Sequence, residues 1–247
     1  MPSSNLHHYL PAIQSLSVEK PLTKSDLLSK EFLMEKNKSI EMYYSPHNEY
    51  INSEAKIVIV GITPGFHQMK LAFEQVIKGL HDGQKLNLLM KEAKLAASFG
   101  GTMRNNLVEM MDQCGIPEII GSETALHLFH EKRGLLHTTS VIKYPVFHHK
   151  KNYTGHSPRI DHHALLSDYA YREFPEELSQ IEQPALIVPL GKTVEAVIRK
   201  LLREKKLQKH TFLFGFPHPS GANGHRRKQF QQEKKNLLSI VQHWTPT

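Results

Sequence analysis

The sequence predicts an α/β fold, a three-layer α/β/α sandwich around a central four-stranded parallel sheet. Three observations point there. The run "KIVIV", Lys56–Val60, carries Ile and Val on both faces and so needs cover on both sides. Similar runs recur as "LLHTTSVIKYPV", "ALIVPLG" and "HTFLFGF", and helical patterns separate them. No internal repeat and no linker-like stretch interrupts the series, which favours one sheet in one domain.

Taken in order, residues 1–22 are polar and punctuated by proline, the pattern of a loosely packed N-terminal arm. Residues 23–247 then read as a single domain. The segment "TKSDLLSKEFLMEKN" predicts a helix, capped by Thr23 or Ser25. After the first strand, helices are expected near 67–80 and 84–97. The pair Gly100-Gly101 opens another, "TMRNNLVEMMDQCG", in which Leu107, Met110, Met111 and Cys114 fall at core spacing and Gly115 ends the helix. "KTVEAVIRKLLREKK" and "RKQFQQEKKNLLSIVQHW" supply the last two.

Composition narrows the function classes. The chain has 247 residues, 39% hydrophobic and 22% charged, ordinary values for a globular protein with a sizeable core. No apolar run approaches the ~20 residues of a membrane span. The start "MPSSNLHHYLPAIQ" lacks the basic and apolar regions of a signal peptide. A single cysteine, Cys114, excludes an internal disulfide and a Cys-ligated metal cluster, which fits a reducing cytoplasm. A formal charge of +7, with 17 histidines besides, suits a polyanionic partner, and nucleic acid is the commonest.

In an open parallel sheet the ligand site lies at the carboxyl ends of the strands. Here those ends are Gly61–Gly65, Ser140–Pro145, Gly191 and Pro217–Ser220. Together they resemble the uracil-DNA glycosylase superfamily. "GITPGFHQM" is similar to that family's first motif, a Gly-X-Asp/Asn-Pro turn. "HPSGANGHRR" is similar to its second, a His-Pro-Ser turn leading into a DNA-contacting loop. "SFGGTMRNNLVEMMDQCGI", "TTSVIKYP" and "ALIVPLGKTVEAVI" match the intervening segments in order, so the resemblance spans roughly residues 55 to 240.

The resemblance implies a monofunctional DNA glycosylase that needs no cofactor, acting on a base flipped out of the stack. His218 then stabilises the departing base. Thr63 holds the water and sugar, with Gly61, Ile62, Pro64 and Gly65 lining that turn. Phe66 or Phe147 stacks on the base, and Ser140 faces it. Ser220, Gly221, Asn223, His225, Arg226 and Arg227 would contact phosphates at a helix start. Lys143, Lys150, Lys151 and Arg159 would do so from the segment around "FHHKKNYTGHSPRIDHH". The competing readings are a backbone-bonded turn histidine at 218, and solvated surfaces at Arg226, Arg227 and the His-rich loop.

The chain departs from the family pattern at several places. Thr63 stands where the family has Asp or Asn, and a hydroxyl is a poor base at neutral pH; His67, or Glu74, is the candidate replacement. Ser140 replaces an Asn that reads the uracil edge. Gly65 replaces an aromatic that blocks 5-substituted pyrimidines in the strictest uracil enzymes. Both changes suggest a roomier pocket, for a modified or bulky pyrimidine such as occurs in foreign DNA. Ala222 and Asn223 make poor wedges for an emptied stack, which favours single-stranded substrates or a wedge from a different loop. The expected protein is a cytoplasmic monomer whose partner is single- or double-stranded DNA, with no membrane contact. Two rivals remain open: a non-catalytic reader of modified bases, and a metal-dependent nuclease using the histidines. His148-His149 and His162-His163 are adjacent pairs, not the i, i+4 spacing that places two ligands on one helix face, so no metal site is expected.

Overall fold

The buried run Ile57–Val60 forms the middle of a four-stranded parallel sheet, in a computed structural model that describes residues 5–17, 19–207 and 209–245. Eight strands occur among them: β1 (Leu33–Asn37), β2 (Ile40–Tyr43), β3 (Ile57–Gly61), β4 (Leu136–Ser140), β5 (Val146–His148), β6 (Lys151–Asn152), β7 (Leu186–Pro189) and β8 (Thr211–Phe212). Two compact units partition the chain. The first comprises Met1–Ile51, Thr63–Ser98 and Ile142–Leu166; the second, Asn52–Ile62, Phe99–Val141 and Ser167–Thr247.

The second unit holds the parallel sheet, in the order β4-β3-β7-β8. All side chains of β3 from Ile57 to Val60 are fully buried, each contributing about 2 kcal/mol relative to exposure. One core cluster joins Ile57, Ile59, Leu136, Leu186 and Val188 to Leu107, Met110, Met111 and Cys114 of the helix Thr102–Gln113. Leu237 and Val241 of the helix Arg226–His243 complete that side. Gly115 takes the left-handed conformation that ends Thr102–Gln113, as the sequence suggests. The register aligns Gly61 with Ser140, so the ends of β3 and β4 finish side by side.

The first unit is built on an antiparallel sheet, order β1-β2-β5-β6, that sequence reasoning did not foresee. The helix expected over residues 23–37 stops early. Thr23 donates its N–H and hydroxyl to Asp26 Oδ2 at 2.7 and 2.6 Å, and the helix covers only Lys24–Leu27. Leu33–Asn37 then turns into β1, because pairing with β2 accompanies the burial of Ile40, Met42, Tyr43 and Tyr44. Long-range burial overrides the helix propensity of Leu, Met, Glu and Lys. Helices Phe66–His81 and Leu86–Ala97 pack together through Met69, Phe73, Val76, Leu89, Met90 and Ala93.

Residues Leu6–Gln14, expected within a loose arm, form a helix with Leu6, Tyr9 and Ile13 buried. The Tyr9 ring stacks on Tyr44 at 4.1 Å. Residues 1–4 and 18 of that segment lie outside the described residues.

The β5–β6 turn consists of His149 and Lys150, with φ of 48° and 60°. Positive φ at both central positions is the type I′ hairpin turn, ordinarily filled by Asn-Gly. For residues with a Cβ that region costs about 1 kcal/mol or more each.

Candidate active site

The carboxyl edge of the parallel sheet gathers the second unit's candidate site residues. Ser140 ends β4 and is 8% exposed. On the neighbouring strand a Cβ at Gly61 would lie 3.4 Å from Ser140 Oγ, so the missing side chain leaves the hydroxyl room. Next comes β7, whose chain leaves through Gly191. That residue has φ +86°, and a Cβ there would meet His218 Cβ at 3.1 Å. Its N–H donates to Phe216 O at 3.0 Å. Gly191 must therefore be glycine both for its backbone and for the approach of His218.

His218 is half-buried, and desolvation lowers its pKa below the usual 6.5. Its ring is neutral at pH 7. The Ser220 N–H donates to Nδ1 at 3.2 Å, so Nδ1 acts as acceptor. A neutral imidazole that accepts at Nδ1 carries its proton on Nε2. His218 is thus bonded to backbone at Nδ1, as one reading of the sequence expects, and its Nε2–H remains a donor.

The turn around this ring is clamped. Asn106 Nδ2 donates to Pro219 O at 2.9 Å, and Asn223 Nδ2 donates to His218 O at 3.2 Å. Arg226 donates to Ser220 O at 3.0 Å and to Asn106 Oδ1 at 3.1 Å. These bonds already occupy three groups that the sequence offers for phosphate contact. The Arg226 guanidinium and the Asn223 amide point into the turn, and the Ser220 N–H is committed to His218. The Ala222 N–H likewise goes to Ser220 Oγ. Gly221, His225 and Arg227 are exposed, as phosphate contact requires.

In the first unit the chain continues from β3 through Thr63. The Thr63 hydroxyl donates to Tyr144 O at 2.7 Å and accepts from Val146 N–H at 3.1 Å. Its proton and one lone pair are used, so it cannot serve as a base; one lone pair remains to hold a water. Pro64 is buried beside it, and His67 is exposed on the first helical turn. Glu74 accepts from Leu22 N–H at 3.2 Å and pairs with Lys70, so its carboxylate is already engaged.

Gly65 needs a different account. Its φ of −85° suits any residue. A Cβ there would lie 3.3 Å from Asn152 Nδ2, while Asn152 Oδ1 accepts from Phe66 N–H at 3.1 Å. The space beside Gly65 holds the Asn152 carboxamide, a neighbour that the sequence does not reveal. The expectation for Phe147 is corrected: at 0% exposed, edge-on to Tyr43 at 5.7 Å, it belongs to the core and offers no face to a base. Phe66 is half-buried, with Lys24 Nζ 5.7 Å from its ring centre. Lys150, Lys151 and Arg159 are exposed; Lys143 is half-buried, 5.8 Å from the Tyr144 ring centre.

Sequence reasoning missed Asn106 and Asn152, which act on residues 113 and 86 positions away. No local pattern marks them.

With this geometry in place, the comparisons decide the family. The profile of the Uracil DNA glycosylase superfamily matches residues 49–242. The chain belongs to the uracil DNA glycosylase superfamily. That superfamily's fold is a three-layer α/β/α arrangement around a parallel sheet like the one seen here. The chain is also 50% identical, over 230 residues, to the uncharacterized protein YoxB of Bacillus subtilis (strain 168). The match covers 93% of this chain and 87% of that protein. Among the described residues no three His, Cys, Asp or Glu side chains converge in a metal-binding group. No helix among them is long and apolar enough to cross a membrane.

Proposed function

We propose that this superfamily member is a monofunctional DNA glycosylase that hydrolyses the N-glycosidic bond of a flipped-out modified base. The observation that carries the reading is the His218 ring, kept neutral by desolvation and tautomerically fixed by Ser220 N–H. As the bond between the sugar carbon and the base nitrogen breaks, its electron pair leaves with the base, and charge collects on the base oxygen. The Nε2–H of His218 donates to that oxygen, and such a donor acts most strongly where water is excluded. A water oxygen then bonds to the cationic sugar carbon. The proton it sheds neutralises the departed base, so no side-chain base is required. The Thr63 lone pair is suited to orienting that water.

Ser140 faces the base with a short hydroxyl that reads fewer positions than an amide. Gly221, His225, Arg227, Lys150, Lys151 and Arg159 hold DNA phosphates. The setting is a cytoplasmic monomer, in repair or in defence against modified foreign DNA.

The commitment of the Thr63 hydroxyl to backbone favours a second reading, a non-catalytic reader of modified bases. One assay separates the readings. Oligonucleotides bearing different modified bases are incubated with the protein in chelator, then treated with alkali. Abasic sites are the expected result; tight binding with intact glycosidic bonds supports the reader. Uracil excised as fast as the best modified base removes the modified-base preference.

A further inference from the structure

Lys38, His149 and Lys150 are three of the five non-glycine residues with left-handed φ among the described residues, and they occupy two adjoining turns. Lys38 lies in the β1–β2 turn, with φ 53°. The turns are joined by the His149 N–H, which donates to Ser39 O at 3.2 Å. A cleft of about 340 Å³ opens there, lined by Lys36, Lys38, Ser39, Glu41, His149 and Lys150.

These residues are not held in a costly backbone by packing. Lys38, His149 and Lys150 are exposed, and asparagine or glycine would make such turns without the steric penalty. Strained backbone kept at an exposed tip points to a use for the side chains themselves. What the cleft supplies is positive charge: Lys36, Lys38 and Lys150 against the single carboxylate of Glu41. Glu41 pairs with Lys36 Nζ at 2.7 Å. The Lys36 hydrogen bond, aided by Lys150, holds the Glu41 carboxyl below its usual range. The Lys38 ammonium has no acidic partner among the described residues. The same hairpin continues into Asn152, which bonds the Phe66 N–H beside Gly65.

We infer that the two turns form a phosphate-binding cleft that grips the DNA backbone, a contact additional to the turn that carries His218. This rests on the reading of the protein as one that acts on DNA. The lysines neutralise phosphates and release counterions, so binding through the cleft weakens as salt rises. Isosteric donors without charge would not give that dependence.

The test uses the full chain and a labelled oligonucleotide, with affinity measured by fluorescence anisotropy over a range of salt. Each phosphate contact contributes ~0.7 to ~0.9 to the slope of log affinity against log salt. The K38Q/K150Q variant is expected to lower that slope by roughly 1.5. The H149N/K150G variant is expected to melt at a higher temperature, because the turn strain is relieved, yet to bind DNA less tightly with a shallower slope. Wild-type slopes in both variants overturn the cleft. Base release, assayed in parallel at low salt, tests the glycosylase reading separately. A wild-type protein that releases no base, but whose slope falls in the variants, retains the cleft and loses the enzyme. Inorganic phosphate displacing DNA at constant ionic strength as effectively as an unlabelled oligonucleotide would make a free anion the occupant. Tighter, equally lysine-dependent binding of RNA would also overturn the assignment to DNA.

Discussion

Two turns carry the family motifs, and they use their polar side chains in opposite ways. At "PHPSG" the backbone is held by other residues: Asn106, Asn223 and Arg226 all donate to its carbonyls. His218 gives up only Nδ1 and keeps Nε2–H for something outside the turn. At "GITPG" the side chain itself does the holding. Thr63 bonds Tyr144 O and Val146 N–H and so ties its turn to the start of β5. A side chain free to react needs neighbours that position it; one that positions its neighbours has little left for chemistry. An Asp or Asn at this position would be the reactive kind, and this chain has the structural kind.

Substitution breaks the comparison most sharply. His218→Ala is expected to lower single-turnover base release by ~10²- to 10³-fold, the usual effect of removing one such donor. Its melting temperature should stay near that of the wild type. Thr63→Val is expected to do the reverse. Two hydrogen bonds disappear and two backbone groups lose partners, at about 2 kcal/mol of stability measured by denaturant unfolding. Its rate, measured below its melting temperature, should fall only a few-fold. Equal losses of rate in the two variants would erase the distinction. Gly191→Ala sharpens the same contrast from a third position. The added methyl strains a left-handed backbone and presses on His218 Cβ, and a misplacement of that kind costs about 10²-fold in rate. Leaving the rate unchanged would mean that His218 tolerates displacement.

Much of the fold was legible because its signals are local. "KIVIV" declares a strand buried on both faces, and the 102–115 helix shows its core spacing and its terminal glycine. The antiparallel sheet was hidden for two physical reasons. Its first strand, "LMEKN", is made of helix formers that pairing with β2 overrules. The β5–β6 turn carries His-Lys where the recognisable signal is Asn-Gly, and the strain that hides it is also what suggests its use. In the site, the glycines and His218 could be read from their turns. The bond from Arg226 to Asn106, the packing of Phe147 on Tyr43 and the amide of Asn152 beside Gly65 are contacts across 80 or more residues. None of those leaves a mark in a short window.

The protonation state of His218 bears most directly on the chemistry. Desolvation lowers its pKa in the folded chain, so below the ordinary value of 6.5 the unfolded chain binds its proton more readily. The stability linked to the neutral ring is therefore present above pH 6.5 and is lost as pH falls through the lower, folded value. Base release should lose its donor geometry over the same acid range. Heteronuclear NMR of ¹⁵N-labelled histidine, with His218 assigned by its Ala variant, reads both tautomer and titration. The expected result is a neutral ring protonated at Nε2 that titrates below 6.5. A ring protonated at Nδ1, or one still charged at neutral pH, would contradict the assignment of His218 as the donor to the leaving base.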